Sequence, residues 1–407
     1  MERAGLQPGA ADGTYFQEVP FLRTSYSAPH ECVLTDGDGN ELSLALGSQF
    51  DLRVRGELNV GTFDIQHVGS QEDMPEPDAG LALVLHTSAS KARRWLTDSG
   101  AGFGLVVIDT GRDERRAKGV PLPSLRPNFG EPRPDAPEEV QLFGDEASNA
   151  AEQAVSISVR VHGGPKNVTD ANVVGRIQGV GTAEHPELAD EVIVLSAHYD
   201  HVGTTKDPKD AEEGEDVIKN GADDDASGVA ALLEIAEALA AGPAPARTVI
   251  VLLAAAEEIG IQGTKYFVQE PPMALESIVC NLNFEMLGRP DPTVGGAGRL
   301  WLSGYERSSL GEAFGEEGLD VKPDMRPDQN FFGRSDNIVF VKEGIVGQTL
   351  SSYNMHGDYH GVADDAAGID FDHMLGATQA ALEATLMLCD GRITPTWKKG
   401  EPKGYLR

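Results

Sequence analysis

The chain has 407 residues, 40% of them hydrophobic, which is enough for two or three domains with ordinary packed cores. Its 65 acids against 33 bases give a formal net charge of -32, a surface that repels nucleic acid and anionic lipid, so neither is expected as a partner. No apolar run approaches the roughly 18 residues a membrane span needs. Cys32, Cys280 and Cys389 are widely spaced, show no CxxC pattern and read as small core residues.

In chain order, a polar, glycine-rich opening that does not read as a signal peptide leads into an apolar run over Tyr15–Leu22. The acids of TDGDGN, Asp36 and Asp38, lack the glycine and later ligands of a calcium loop, since Glu41 stands in the next position; a hairpin on Asp-Gly is predicted. Phe50–Val54 and Thr62–Val68 alternate as strands, Leu81–Leu85 and Gly104–Ile108 read as short buried strands, and a small helix is predicted over Ser88–Thr97. The proline-rich stretch 119–139 reads as surface loop. His67 and His86 have no partner at a recognisable spacing. Nothing between 46 and 154 clusters chemistry-bearing residues, and this stretch reads as a separate β-rich inserted module, with 1–45 and 155–407 forming the main domain.

From Val155 the pattern becomes that of an α/β protein. Val155, Ile157, Val159 and Val161 share one face of a strand, Asn172–Gln178 forms another, and Val192–Leu195 is a short apolar run. A helix follows with Val229, Leu232, Leu233, Ala236 and Ala240 at spacings of three and four. Val249–Ala256 then reads as a strand buried on both faces. Strand, helix and strand together predict a parallel βαβ unit. Ile278–Phe284 is a further strand, and a helix over Phe371–Leu388 closes the fold.

Three of these apolar strands end in a potential metal ligand: His198, then the pair Glu257 and Glu258, then Glu285. In open α/β sheets ligands bind beyond the carboxyl ends of strands. Adjacent residues leaving a strand point to opposite sides, so one of Glu257 and Glu258 can bind a metal while the other meets a water. An acid-rich loop supplies Asp224 and a later loop His360. Imidazole nitrogen and carboxylate oxygen are zinc donors, and two ions close together need a bridging carboxylate, a part that suits Asp224. Asp200, two residues beyond His198, is placed to accept its second imidazole N–H.

The order HYDH, GADDDASG, AAAEEIGIQGTKYF, NFEMLG, RSDN and DYHGVADD, across roughly residues 155–390, resembles the M28 family of zinc metallopeptidases. The resemblance implies a phosphorylase/hydrolase-like mixed central sheet with helices on both faces. It also implies two Zn2+ and an aminopeptidase acting on a peptide with a free N-terminus. A carboxypeptidase, a single-zinc glutaminyl-peptide cyclase and a receptor-like relative without catalysis are the alternatives. His198 and Glu285 would hold one zinc and Glu258 and His360 the other, with Asp224 bridging, Glu257 as general base and a cis peptide after Asp224. Aspartate is commoner where Glu285 stands. Phe331 and Phe332 occupy the region where some members place a tyrosine near the oxyanion, which leaves Arg334 as a stand-in, and Asn337 replaces a histidine common after Ser-Asp. The resemblance further suggests a secreted or extracytoplasmic protein with a protease-associated domain at 46–154.

Overall fold

In a computed structural model the chain divides into two compact units, Met1–Val19 with Asp170–Arg407, and Pro20–Thr169. The structure describes residues 1–45, 49–53, 61–87, 91–92, 94–96, 103–109, 124–129, 138–206, 208 and 211–405.

The larger unit is built on a mixed sheet. In spatial order, inside the two-residue strand Lys322–Pro323, come β5 (Trp301–Leu302), β6 (Val346–Ser351), β4 (Ile278–Glu285), β2 (Val192–His198), β3 (Thr248–Ala254) and the Val173–Ile177 end of β1 (Ala154–Ile177), on which Gln7–Pro8 also pairs. The four central strands, β6, β4, β2 and β3, run parallel, and β5 and β1 pair antiparallel at the sides. Every residue of β2, β3 and β6 is buried, the pattern of a parallel sheet covered on both faces. On one face Leu195, Val251 and Leu282 pack under α1 (Gly228–Ala241) and α5 (Phe371–Cys389). On the other Val194, Ile250 and Leu252 pack with Phe267 of α2 (Gln262–Gln269) and Ile338–Val341 of α4 (Asn337–Lys342); α3 is Leu310–Glu316.

The expected βαβ unit is β2–α1–β3, with His198 opposite Ala254 in the parallel register. The buried stripe of α1 is rotated from the expected one. Ala231, Leu232, Ile235, Ala236 and Leu239 face the sheet, while Val229, Leu233 and Ala240 are only half-buried at its flank. Alanine runs leave the apolar face of this helix broad, so spacing alone does not fix its centre.

In the unit Pro20–Thr169, Gly61–Val68, Leu81–His86, Leu105–Asp109 and Glu138–Leu142 form a parallel array. Phe50–Arg53 is antiparallel on its last strand, and Val159–Ser156 on its first. The hairpin at TDGDGN forms, and the Asp36 carboxylate accepts the amides of Asp38 and Asn40 at 2.9 and 2.8 Å. Two readings change. Ser124–Pro127, expected as loop, is a strand on Phe21–Thr24, with Pro127 at its end, where a missing N–H is tolerated. His67 and His86 do have partners: the rings stack 5.7 Å apart, and His86 Nδ1 lies 3.0 Å from Asp109. Of the helix expected over Ser88–Thr97, residues 91–92 and 94–96 are helical and the rest lies outside the described residues, as does most of the proline-rich stretch. The unit is wider at both ends than 46–154. Its boundaries fall inside the strands Phe16–Asp36 and Ala154–Ile177, where composition does not change. Cys32, Cys280 and Cys389 are buried and free.

Arg247, 1% exposed at the start of β3, locks the C-terminal end of α5 to the sheet. Its guanidinium donates to Glu191 at 2.6 Å, to the carbonyls of Leu388 and Ile393 at 2.8 and 2.7 Å, and to Thr394. Arg247→Ala leaves the Ile393 carbonyl without its donor and Leu388 with only backbone amides, and it strips Glu191 and Thr394 of their partner, so urea unfolding is expected to show a loss of at least about 2 kcal/mol. A loss under about 1 kcal/mol contradicts this anchoring role.

Candidate metal centre

The central strands deliver their carboxyl ends to one edge of the sheet. His198 ends β2 and Glu285 ends β4; Glu257 and Glu258 follow β3 through a left-handed Ala256, φ 58°. Asp224 stands in the turn that opens α1, and its bond to Asp225 is cis, as the resemblance implied. His360 comes from the loop after β6 and is itself left-handed, φ 57°.

Asp224 lies between the two outer histidines. Its Oδ1 is 3.2 Å from His198 Nε2 and its Oδ2 is 3.1 Å from His360 Nε2, which in turn lies 3.4 Å from Glu258 Oε2. The donor atoms of His198, Asp224 and Glu285 lie within 4.8 Å of one another, as do those of His201, Asp224 and Glu258. His198 Nε2, His201 Nδ1, Glu258 Oε1 and His360 Nε2 are all buried without a hydrogen-bond partner. Such atoms are costly unless something satisfies them. Lone pairs of imidazole and carboxylate converging in this way fit a borderline divalent cation.

The electrostatics agree with that fit. Burial pushes the Glu257 carboxyl up to about 9, with Asp336, Glu285 and Glu258 adding to it against His198. Burial likewise takes Glu285 up to about 7 and Asp336 up to about 6, and raises Asp225 well above the usual range. Burial also penalises Asp224, but the His198 and His360 rings beside it more than reverse this and hold its carboxyl low. The edge carries more buried negative charge than its histidines offset, and a dication supplies what is missing.

Neighbouring groups hold these side chains in place. His198 Nδ1 donates to the backbone carbonyl of Asp200 at 3.1 Å, whereas the nearest Asp200 carboxylate oxygen is 3.7 Å away, so the carboxylate contact expected from the sequence is made by the main chain instead. The Asp200 carboxylate accepts the amides of Glu257 and Glu258, at 2.9 and 3.2 Å, and so orients that turn. Asp225 accepts from His198, Gly228 and Met286, tying β2, α1 and β4 together. Asp364 accepts the amides of Asp223 and Asp224 at 3.0 and 3.2 Å, and Arg289 pairs with Asp364 and Asp358. Ser335 accepts from Asn283 at 2.8 Å, and its presence beside Glu285 works against the rise of that carboxyl. Asn337, in the place of the family's histidine, donates to the carbonyls of Phe332 and Gly347 and accepts from Thr349, a purely internal set of contacts.

Beside these groups opens a pocket lined by Asp224, Glu257, Glu258 and Glu285 on one side and by Trp301, Phe331, Tyr353 and Tyr359 on the other. Trp301 stacks on Phe331, with centroids 5.4 Å apart, and Tyr353 meets Phe331 edge-on. Arg334 is exposed, lies 5.5 Å over the Phe331 ring and also lines the pocket. Arg326 is committed elsewhere, to Asp291 at 2.7 and 3.0 Å. Tyr359 and His201 were not singled out from the sequence, although each adjoins a residue that was. Burial raises the Tyr359 hydroxyl, and the charges of Asp224, Glu285 and Glu258 add to this.

A mixed sheet with helices on both faces and a His/Asp/Glu cluster at its carboxyl edge defines a metallohydrolase. The chain belongs to peptidase family M28, whose sequence pattern it matches over residues 172–385, and it is a metallopeptidase. Its fold is similar to that of an aminopeptidase from Aneurinibacillus sp. strain AM-1, at 18% identity over 96% of this chain and 87% of that one, TM-score 0.57. It is also similar to a zinc aminopeptidase from Bacillus subtilis, at 16% identity over 97% and 87%, TM-score 0.53.

The raised carboxyls give the metal-free protein a pH signature. Glu257 and Glu285 bind protons more tightly when folded than their ordinary 4.5, so the folded state loses stability as pH rises from about 4.5 to about 7 for Glu285 and to about 9 for Glu257. In chelator, the melting temperature is expected to fall between pH 5.5 and 8.5; a saturating divalent ion displaces those protons and flattens the slope. A chelated protein that gains stability over that range contradicts the charge assignment.

Proposed function

We propose that the protein is a dizinc aminopeptidase, removing residues from the free N-terminus of peptides. The observation that carries this reading is the lining of the pocket: four carboxylates against the single guanidinium of Arg334. With Asp224, Glu258 and Glu285 taken up by the ions, Glu257 is the carboxylate left to meet a substrate ammonium, while a substrate carboxylate would find only Arg334, because Arg326 is held by Asp291.

His198 and Glu285 would hold one zinc, Glu258 and His360 the other, and Asp224 would bridge them. When bound, the ions supply Lewis acidity, polarising the scissile carbonyl and lowering the pKa of water to about 7. Glu257 takes a proton from the attacking water and returns it to the leaving nitrogen, the work of one carboxylate in two roles. Trp301, Phe331, Tyr353 and Tyr359 receive an apolar or aromatic N-terminal side chain, and Arg334 disfavours a basic one. Phe331 and Phe332 carry no hydroxyl, so Arg334, Tyr353 and Tyr359 are donors of the pocket available to a developing oxyanion. The unit Pro20–Thr169 contributes none of these side chains and serves a non-catalytic part.

Glu257→Gln keeps size and hydrogen bonding but accepts no proton, so turnover is expected to fall by at least about 10²–10⁴-fold with zinc content unchanged. Glu258→Gln replaces a charged ligand by a neutral amide and is expected to lose zinc. The reverse pattern, measured by metal analysis of the two purified variants, overturns the division of roles.

Peptides with a free N-terminus are expected to be cleaved far faster than the same peptides acetylated there. Equal turnover, or preference for a free C-terminus, sinks the aminopeptidase reading. Cyclisation of an N-terminal glutamine without hydrolysis points instead to the cyclase.

A further inference from the structure

His201 is a buried imidazole that neither the ligand set nor the mechanism above uses. Its side chain is 9% exposed, its Nδ1 lies 2.8 Å from Glu258 Oε1 and 4.0 Å from Asp224 Oδ2, and its ring meets that of His360 edge-on at 5.4 Å. We propose that His201 is a further ligand, through Nδ1, of the ion held by Asp224, Glu258 and His360, an assignment that rests on the two-ion reading.

The alignment of the ring decides between this and an ordinary ion pair. At 2.8 Å a single N–H···O bond would satisfy both His201 Nδ1 and Glu258 Oε1, yet the directions do not match and both atoms remain without a partner. Glu258 presents Oε1 to His201 and Oε2 to His360, so its carboxylate lies between two imidazole nitrogens, each orphaned. One cation within reach of these atoms and of Asp224 Oδ2 satisfies them together; a proton satisfies one pair only. The ring is set in place by the main chain. Gly221 is left-handed, φ 64°, and a Cβ there would lie 2.6 Å from His201 Cγ, so glycine at this position is what admits the imidazole. The four protein donors His201, Asp224, Glu258 and His360 fill the usual complement of a closed zinc site. The ion on His198, Asp224 and Glu285 is then the one with three protein ligands and an open position.

The test uses full-length protein with ring-15N histidine, loaded with two Co2+. Three paramagnetically shifted imidazole N–H signals are expected, from His198, His201 and His360, falling to two in His201→Ala. Titration of the second Co2+ or Zn2+ is expected to weaken in that variant by more than about 100-fold, beyond the 10–100-fold that loss of a group merely orienting a ligand costs. Two tightly held ions with only two shifted signals in the unaltered protein, or equal affinity in His201→Ala, overturn the assignment alone. An unaltered protein that takes up fewer than two ions overturns the two-ion reading and this role with it. Should His201→Ala fail to fold, the signal count in the unaltered protein decides the matter by itself.

Discussion

Burying like charges at the end of a sheet is the constraint on which the larger unit depends. Asp224, Glu257, Glu258, Glu285, Asp225 and Asp336 all approach the carboxyl edge of the central strands, where water is scarce and each ionised group disfavours the next. Such an arrangement persists only if it is answered by donors, protons or cations. The strands, the turns behind them and the loop carrying His360 are organised around giving each acid one of those answers.

The acids separate by the answer they receive. Asp200, Asp223, Asp225 and Asp364 accept from backbone amides of turns that would otherwise leave those amides unpaired. They act as internal caps, and their place is structural. Among the described residues no backbone N–H donates to the carboxylates of Asp224, Glu257 or Glu258. Their neighbours are imidazoles and other carboxylates, which is the difference between an acid that holds the chain and an acid left for a ligand.

Much of this was legible because it rests on period and position. Buried β-branched runs ending in His198, Glu257–Glu258 and Glu285 mark strand ends, and in a parallel sheet strand ends meet at one edge. What could not be read depends on rotation and direction. The buried stripe of α1 turned because alanines make its faces nearly equivalent. The bond to His198 came from the Asp200 carbonyl because the carboxylate is drawn away by two amides from another strand end, a long-range contact without a local signal. His201 stood in view in HYDH, but strand alternation says nothing of a residue three beyond the strand end, past the turn. Ser124–Pro127 was hidden by its proline, which suits a strand end as well as a loop.

The loop from His356 to Asp364 carries three loads at once. It offers His360 to Asp224, pairs His356 Nε2 with Asp223 at 3.1 Å, and spends Asp364 on the amides of Asp223 and Asp224. Arg289 clasps it at both Asp358 and Asp364. A segment so employed is a keystone, not a door: to swing it outward is to unseat Asp224 in the same motion.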